Sequence, residues 1–177
     1  METIEVNIDY FKKCLKAISK DPARWSITGV YIHDDSDGYR HYVGTNGYIL
    51  VHCKEKTADK PLEKGLIIKP LYPLGTKKCL ICCPLMIVDE HTAILITDKK
   101  ITCDIVDAEY PAYEKVMPKD PKPEMEYVCF SPSYLRMMET VLGVCSVRPL
   151  ADGVNEPHIF RCGNNEDVEV VIMPMRI

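Results

Sequence analysis

The sequence contains no apolar run of the roughly 20 residues that a membrane-spanning helix needs. Apolar runs such as Ile94-Leu95-Ile96 are far shorter than that. The N-terminal segment, Met1 to Glu5, is acidic and lacks the basic and apolar regions of a secretory signal peptide. We therefore expect a cytoplasmic protein that has no membrane partner.

Neither sign of charge is in large excess. The chain has 177 residues, with 22 Lys and Arg against 26 Asp and Glu, so its formal net charge is −4. Net charge alone therefore does not hold this protein on DNA, although a local basic face remains open. The hydrophobic share of 46% and the charged share of 27% are typical of a globular domain and exclude a disordered or collagen-like chain. The length suits one domain, or one and a fraction.

Motifs of common catalytic sites are also missing. The sequence has no Gly-rich phosphate loop and no nucleophile elbow. The five histidines, at positions 33, 41, 52, 91 and 158, show no spacing that pairs them. Asp34, Asp35 and Asp37 share a turn that lacks the rest of an EF-hand loop, so we interpret it as a solvated turn. We expect no enzyme activity and no cofactor.

Nine cysteines are present, and their odd number without a secretion signal indicates free thiols in a reducing compartment. Cys79, Cys82 and Cys83 form the densest cluster. A zinc site would need a second ligand pair with similar spacing, and no such CxxC or HxxxH pair occurs. We interpret the cysteines as small buried hydrophobes, with a zinc site or a reactive thiol as the alternatives.

Hydrophobic periodicity predicts many strands and two helices, which is typical of the α+β class with antiparallel sheet. Asp9 is expected to cap a helix over Tyr10–Ser19, and Ser131 with Pro132 to begin a second helix that Gly143 ends. The first strand contains Ile4, Val6 and Ile8, and the other predicted strands are Ser26–His33, Tyr39–Thr45, Tyr48–Cys53, Gly65–Lys69, Cys79–Cys83, Met86–Asp89, Ala93–Thr97, Lys100–Asp107, Tyr127–Phe130, His158–Arg161 and Val168–Met173.

The predicted elements repeat about three times along the chain. Each unit begins with a strand, continues into a helix or helix-like segment and ends in further strands, starting near Glu2, Gly65 and Glu126. Pro70 and Pro73 leave little room for the helix of the middle unit. Three prolines within residues 118–124 predict a linker. We expect a domain over residues 1–118, a linker over 119–125 and a half domain over 126–177.

Three segments carry motifs that occur together, in this order, in one family. They are Val43-Gly44-Thr45-Asn46-Gly47-Tyr48-Ile49-Leu50, Asp107-Ala108-Glu109-Tyr110-Pro111-Ala112-Tyr113-Glu114-Lys115-Val116-Met117-Pro118, and the closing Val171-Ile172-Met173-Pro174-Met175-Arg176-Ile177. They resemble the bacterial sliding clamp, the beta subunit of DNA polymerase III. The resemblance implies clamp-type half-domain units: the second domain of that family over residues 2–118, and the last half of its third domain over 126–177.

The resemblance further implies a hydrophobic pocket that binds short linear motifs of polymerases and repair proteins. Its residues here would be Thr45, Gly47, Tyr48, Leu50, Pro111, Lys115, Val116, Val171, Met173, Pro174, Met175 and Arg176. Methionine is flexible and polarizable, which suits a surface that accepts varied peptides. Without the resemblance, Met173 and Met175 would simply complete a strand and cover the core.

Clamp helices also face DNA, so the resemblance implies non-specific contact with duplex phosphates. The residues concerned are Lys12, Lys13, Lys16 and Lys20, which fall on one helix face, and Arg24 just beyond it. The alternative is an ordinary solvated helix face.

We therefore expect a minimal sliding-clamp-like protein, a processivity factor or docking platform in DNA replication or repair. The alternative is a decoy that sequesters clamp-binding motifs without encircling DNA. The family's ring has twelve half-domain units and this chain resembles three, so four chains would match a ring. A homo-oligomer is expected, with an isologous dimer and a monomer as the other possibilities.

Overall fold

The computed structural model of this chain describes residues 2–75, 82–118, 128–143, 148–153, 155–162 and 165–175. It contains eleven strands, two α-helices and two short 3₁₀ helices among these residues. In chain order they are β1 (Glu2–Asn7), α1 (Ile8–Leu15), a 3₁₀ helix (Pro22–Ile27), β2 (Val30–Asp34), β3 (Tyr39–Thr45), β4 (Ile49–Lys56), β5 (Leu66–Pro70), β6 (Cys82–Ile87), β7 (Thr92–Ile96), β8 (Lys100–Ile105), a 3₁₀ helix (Tyr113–Val116), α2 (Pro132–Leu142), β9 (Arg148–Leu150), β10 (His158–Cys162) and β11 (Asn165–Ile172). The predicted α+β class is confirmed.

All eleven strands join into one antiparallel sheet with the order β1-β6-β7-β8-β5-β2-β3-β4-β11-β10-β9. The first two predicted units exchange their opening strands: β1 pairs with β6 of the second unit, and β5 pairs with β2 of the first. The third unit joins through β11, whose residues Val168–Ile172 pair with Cys53–Ile49 of β4. The sheet therefore continues from the first predicted unit into the third.

Side chains alternate between the two faces of this sheet, and each face has its own core. Tyr42, Val51 and Val170 belong to the core that also contains Phe11 of α1 and Val141 of α2. The neighbouring positions point the other way, so that Val43, Leu50, Ile67, Ile159 and Val171 form a second core with Tyr110 and Tyr113. The helices therefore cover one face, and the segment around Tyr110–Val116 covers the other.

The first helix begins earlier than predicted. Asn7, not Asp9, is its N-cap, because the Asn7 Oδ1 accepts hydrogen bonds from the backbone N–H groups of Asp9 and Tyr10, both at 3.2 Å. The helix ends at Leu15 rather than Ser19, whose backbone N–H instead bonds the carbonyl of Ile27 at 2.9 Å. On the sheet side, α1 lies against β3 so closely that a Cβ on Gly44 would collide with the Cys14 backbone carbonyl.

Four predicted strands also differ from the structure. Residues 22–27 form a 3₁₀ helix capped by Asp21, and β2 starts only at Val30. The segments predicted at Cys79–Cys83 and Met86–Asp89 meet in one strand, β6, while Cys79 lies outside the described residues. Of the strand predicted over Tyr127–Phe130, residues 128–130 are not a strand, and Tyr127 lies outside the described residues.

Other local predictions are confirmed. The second helix runs over Pro132–Leu142, with Ser131 at its N-cap, Pro132 in its first turn and Gly143 at its C-cap with φ of 69°. No helix forms over residues 71–75, in keeping with Pro70 and Pro73. Among the described residues, no helix is both long and apolar enough to cross a membrane.

Candidate peptide-binding cleft

The β3–β4 hairpin turn supplies the first part of the candidate site. The Thr45 hydroxyl donates to the carbonyl of Ile49 at 2.7 Å and accepts from the N–H of Gly47 at 3.0 Å. The Asn46 Oδ1 accepts from the backbone N–H groups of Tyr48 and Ile49 at 3.0 and 3.1 Å. Gly47 has φ of 88°, a conformation that glycine adopts without strain. These bonds hold the turn rigid and leave the Tyr48 side chain 53% exposed.

The segment over Tyr110–Val116 forms the second part. Tyr110 is buried, stacks on Tyr31 with ring centroids 4.6 Å apart, and donates its hydroxyl to the Val43 carbonyl at 3.4 Å. This anchor holds the following 3₁₀ helix over β3 and β4. Tyr113 is buried beneath that helix, whereas the Val116 side chain is 41% exposed.

The chain beyond β11 forms the third part. The Met173 N–H donates to the Tyr48 carbonyl at 3.2 Å, and the Met175 N–H donates to the Cys129 carbonyl at 2.7 Å. These two bonds hold the tail between the hairpin turn and the segment before α2. Val171 is buried, while Met173 is 40% exposed.

These three parts enclose a cleft with a volume of about 290 Å³. Its lining is almost entirely apolar and consists of Ile27, Thr45, Gly47, Tyr48, Ile49, Leu50, Pro111, Ala112, Tyr113, Val116, Val171 and Met173. Leu50 and Val171 are direct partners in the β4–β11 ladder, so the cleft spans the junction between the first and third units. A cleft of this size and polarity suits one or two apolar side chains of a ligand.

A row of polar side chains crosses the same face of the sheet beside the cleft. The His41 Nε2 lies 2.9 Å from Asp35 Oδ2, and its Nδ1 lies 2.9 Å from His52 Nε2. The His52 Nδ1 lies 3.2 Å from Glu169 Oε2, and Arg161 donates to the other Glu169 oxygen at 2.7 Å. The row thus joins β3 and β4 to β11 and β10.

The two carboxylates of this row are ionised at neutral pH. The hydrogen bond from His41, with those from the Tyr39 and Asp37 N–H groups, lowers the pKa of Asp35 to about 2. Burial would raise the pKa of Glu169, but hydrogen bonds from His52 and Arg161 and the Arg161 charge outweigh it, so that this pKa is lowered. Both groups therefore act only as hydrogen-bond acceptors.

Asp34 differs from the solvated turn that the sequence suggested. Its side chain is 2% exposed, and its two oxygens accept from the Arg40 guanidinium at 2.8 and 2.9 Å. Arg40 itself is fully buried and also bonds the Glu5 carbonyl and Asp59. This aspartate is therefore structural, fixing β1 and the loop after β4 to the β2–β3 hairpin.

On the helix face, most of the predicted DNA-facing lysines have partners within the chain. Lys12 donates to the Gly75 carbonyl at 2.8 Å, Lys13 pairs with Asp9 at 3.1 Å, and Lys16 donates to the Thr140 carbonyl of α2 at 3.3 Å. Lys20 is exposed. Arg24 lies at the rim of the cleft, where it donates to the Asn46 carbonyl at 2.9 Å and its guanidinium lies 5.4 Å from the Tyr48 ring centre.

No protein-family profile matches the sequence. The chain is 27% identical over 127 residues to the beta sliding clamp of Borreliella burgdorferi, a match that covers 67% of this chain and 32% of that protein. Crystal structures of the DNA polymerase III beta subunit of Pseudomonas aeruginosa and the sliding clamp of Bacillus subtilis superpose with TM-scores of 0.76 and 0.77, both at 16% identity. They match 100% and 99% of this chain, which covers 67% and 64% of theirs.

The chain has the sliding-clamp fold. The resemblance to the bacterial sliding clamp family that the three sequence motifs carry is therefore confirmed. The chain spans about a third of the length of the curated relative it matches. Its division into residues 1–118, 119–125 and 126–177 stays a prediction.

On this clamp fold, eight of the twelve residues predicted for the pocket line the cleft: Thr45, Gly47, Tyr48, Leu50, Pro111, Val116, Val171 and Met173. Lys115 is exposed on the covering 3₁₀ helix, and Pro174 and Met175 lie just beyond the lining. Arg176 lies outside the described residues. Peptide binding by the pocket residues stays a prediction, and so does DNA binding by the lysines.

Two features of the site were not predicted from the sequence. Ile27, Ile49, Ala112 and Tyr113 also line the cleft. The histidines, which looked unpaired, come together because strand pairing places His33 opposite His41 and His52 opposite Glu169. The turn at Gly38 could have predicted the pairing of His33 with His41, because the position of a hairpin turn sets the register of the two strands that it joins, here β2 and β3. No local signal foretells the β4–β11 pairing.

Proposed function

We propose that this chain is a minimal sliding-clamp-like protein that serves DNA replication or repair as a processivity factor or docking platform and catalyses no reaction. The observation that carries the proposal is the cleft, which three segments distant in sequence build together. The segments are 45–50, 111–116 and 171–173. They are the same three in which the sequence resembles the clamp family.

The ligand of the cleft would be a short linear motif of a polymerase or a repair protein. The walls offer apolar contact, whereas Lys115 and the Arg24 guanidinium near the rim could orient polar groups of a peptide. Two apolar anchors contribute about 1.5–3 kcal/mol each on burial, part of which offsets the cost of ordering the peptide. We therefore expect a dissociation constant on the order of micromolar.

Titration calorimetry with a peptide that carries a bacterial polymerase's clamp-binding motif tests this proposal. Deletion of residues 173–177 should abolish binding, because it removes the Met173 wall and both tail hydrogen bonds while leaving the whole β4–β11 ladder in place. A peptide with the same composition in scrambled order is the control. Absence of heat at high micromolar peptide with the intact chain would refute the proposal.

A role on DNA would use the other face of the sheet. Lys16 and Lys20 are exposed in the segment that follows α1, and Lys16 reaches the Thr140 carbonyl of α2. Contacts with phosphates release counterions, so duplex affinity should fall with salt. Changing Lys12, Lys13, Lys16 and Lys20 to glutamine should reduce the salt slope. An unchanged slope would exclude this helix from DNA binding.

A decoy that occupies clamp-binding motifs is the second candidate. It is favoured by the internal partners of Lys12, Lys13 and Lys16, which engage these ammonium groups and leave them less available to phosphates. A loading assay separates the two functions, since only a topological clamp is retained on closed DNA and slides off linear ends. Peptide binding without such retention supports the decoy.

Oligomerisation would be needed for a ring. The described sheet ends in two strands, β1 and β9, that each have a neighbour on one side only. Open strand edges of this kind can pair with another chain. Light scattering combined with small-angle scattering distinguishes a tetramer of ring dimensions from a dimer or a monomer.

A further inference from the structure

The cleft wall rests on a cluster of three histidines, His33, His41 and His52, for which the proposed function gives no role. The Tyr113 hydroxyl lies 2.9 Å from His33 Nε2, and the Tyr113 ring lies 5.8 Å from the His33 ring and 5.6 Å from the His52 ring. The His33 and His41 rings are stacked, with centroids 4.7 Å apart and planes 5° apart. Tyr113 is therefore both a lining residue of the cleft and the cover of this cluster.

The hydrogens of the central pair, His41 and His52, are too few for its contacts. Three contacts run in series, from Asp35 to His41, from His41 to His52 and from His52 to Glu169. Both carboxylates accept only, so each of the three contacts needs its hydrogen from an imidazole. Two neutral imidazoles carry two hydrogens, one fewer than three, so one contact is left without a hydrogen while both rings are neutral.

A proton on His33 is poorly accommodated. Burial lowers the pKa of His33, and the charge of His41 beside it lowers it again, against the opposing effects of the Asp34 backbone and Glu114. Burial and His52 likewise lower the pKa of His41, although Asp35 raises it. A proton on His33 would place its charge 4.7 Å from the centre of the stacked His41 ring and under the Tyr113 cover.

The charged and titratable groups around the cluster come from every element packed against it. Asp35 from the β2–β3 turn and Glu169 from β11 favour protonation; Lys54 from β4 and Arg161 from β10, which already pairs with Glu169, do not. The 3₁₀ helix over Tyr113–Val116 contributes Glu114, and β2 contributes Tyr31, whose ring lies 5.0 Å from His33. Asp34, also from β2, interacts with His33 but is paired with Arg40. Both acidic neighbours of the central pair already accept from its imidazoles.

We propose that the histidine cluster is a proton-linked support of the cleft wall: it seats Tyr113 while His33 is neutral, and proton uptake at His33 unseats Tyr113 and weakens motif binding. This inference rests on the proposed function only for its effect on binding. The cause is that a His33 imidazolium gains hydration when the Tyr113 cover lifts. Proton uptake therefore favours the open form.

The sign and size follow from linkage. With Tyr113 seated, burial lowers the pKa of His33, and lifting the cover relieves part of that burial. The seated form is therefore favoured above the ordinary histidine pKa of about 6.5 and loses ground as pH falls below it. For one linked proton, motif affinity should be weaker at pH 5.5 than at pH 7.5, by at most about tenfold.

Two readouts test the proposal in the full chain. NMR of the free protein follows the His33 ring and the Tyr113 ring from pH 7.5 to 5.5, and their signals should change together. Calorimetry with a histidine-free motif peptide measures affinity over the same range, while far-UV circular dichroism shows that the protein stays folded. If the peptide binds at no pH, the proposed function fails, and the NMR titration still decides the inference about Tyr113.

The His33→Gln variant should keep a hydrogen bond to the Tyr113 hydroxyl but lose the pH dependence of both readouts. The His91→Gln variant is the matched control, since His91 is exposed and bonds Glu90 away from the cleft, and it should behave as the unmodified chain does. Full pH dependence in His33→Gln, or Tyr113 signals that do not change with pH in the unmodified chain, would overturn the proposal.

Discussion

Val116 forms part of one wall of the cleft, and we expect Val116→Ala to weaken motif binding about threefold. Its side chain is 41% exposed, which is the fraction that a bound peptide can newly cover. Replacing valine by alanine removes two methyl groups, which are together worth about 1.6 kcal/mol when fully buried. Scaled by the exposed fraction, the loss is about 0.7 kcal/mol, which corresponds to about a threefold increase in dissociation constant.

Val88 provides a matched control for this substitution. It is 38% exposed, nearly the same as Val116, but it follows β6 and does not line the cleft. Val88→Ala should therefore leave the peptide affinity unchanged, and both variants should differ little from the unmodified chain in thermal stability. Titration calorimetry with the same peptide compares the three proteins. Equal affinity of Val116→Ala and the unmodified chain, or equal losses in the two variants, would refute the assignment of the cleft as the binding site.

Two further predictions concern stability. Gly44→Ala should destabilise the fold by about 1–3 kcal/mol, because its Cβ meets the Cys14 carbonyl of α1, and should lower the melting temperature by about 2–12 °C. Gly75→Ala is the control, because a Cβ on Gly75 would lie 3.9 Å from its nearest neighbour, Asp98 Oδ1. Its free energy of unfolding should remain within about 0.5 kcal/mol of that of the unmodified chain. The pKa of Asp35 is lowered from 3.8 to about 2, chiefly by the His41 hydrogen bond. The stabilisation that ionised Asp35 contributes is therefore present above about pH 4 and lost as pH falls toward 2. In Asp35→Asn, the free energy of unfolding measured with urea should accordingly depend less on pH over that interval.

Local signals in the sequence were sufficient where one short segment determines its own structure. The second helix was predicted with its residues because Pro132 and Gly143 mark its two ends by their own backbone preferences, and Ser131 stands at the N-cap although its side chain makes no capping hydrogen bond. The first helix was displaced because Asn7 and Asp9 are both good capping residues, and burial of Ile8 in the core selects Asn7. Local preference alone does not decide between two neighbouring caps.

The cleft was predicted through the resemblance rather than through periodicity. Leu50 and Val171 become neighbours only because β4 pairs with β11 across more than a hundred residues, and nothing local to either strand specifies that pairing. Tyr113 was missed for a related reason, since its place depends on the Tyr110 anchor and on His33 below it. Residues whose role depends on a distant partner are therefore the ones that the sequence alone left unassigned.

The sheet separates the two activities proposed for this chain. Leu50 faces the cleft and Val51, its neighbour in β4, faces the helices, so a substitution at either position alters one face and not the other. Motif binding and DNA retention should therefore be separable by mutation. A clamp needs both faces, whereas a decoy needs only the cleft. If a variant without the lysines of the helix face loses DNA retention but keeps its peptide affinity, the two surfaces work independently.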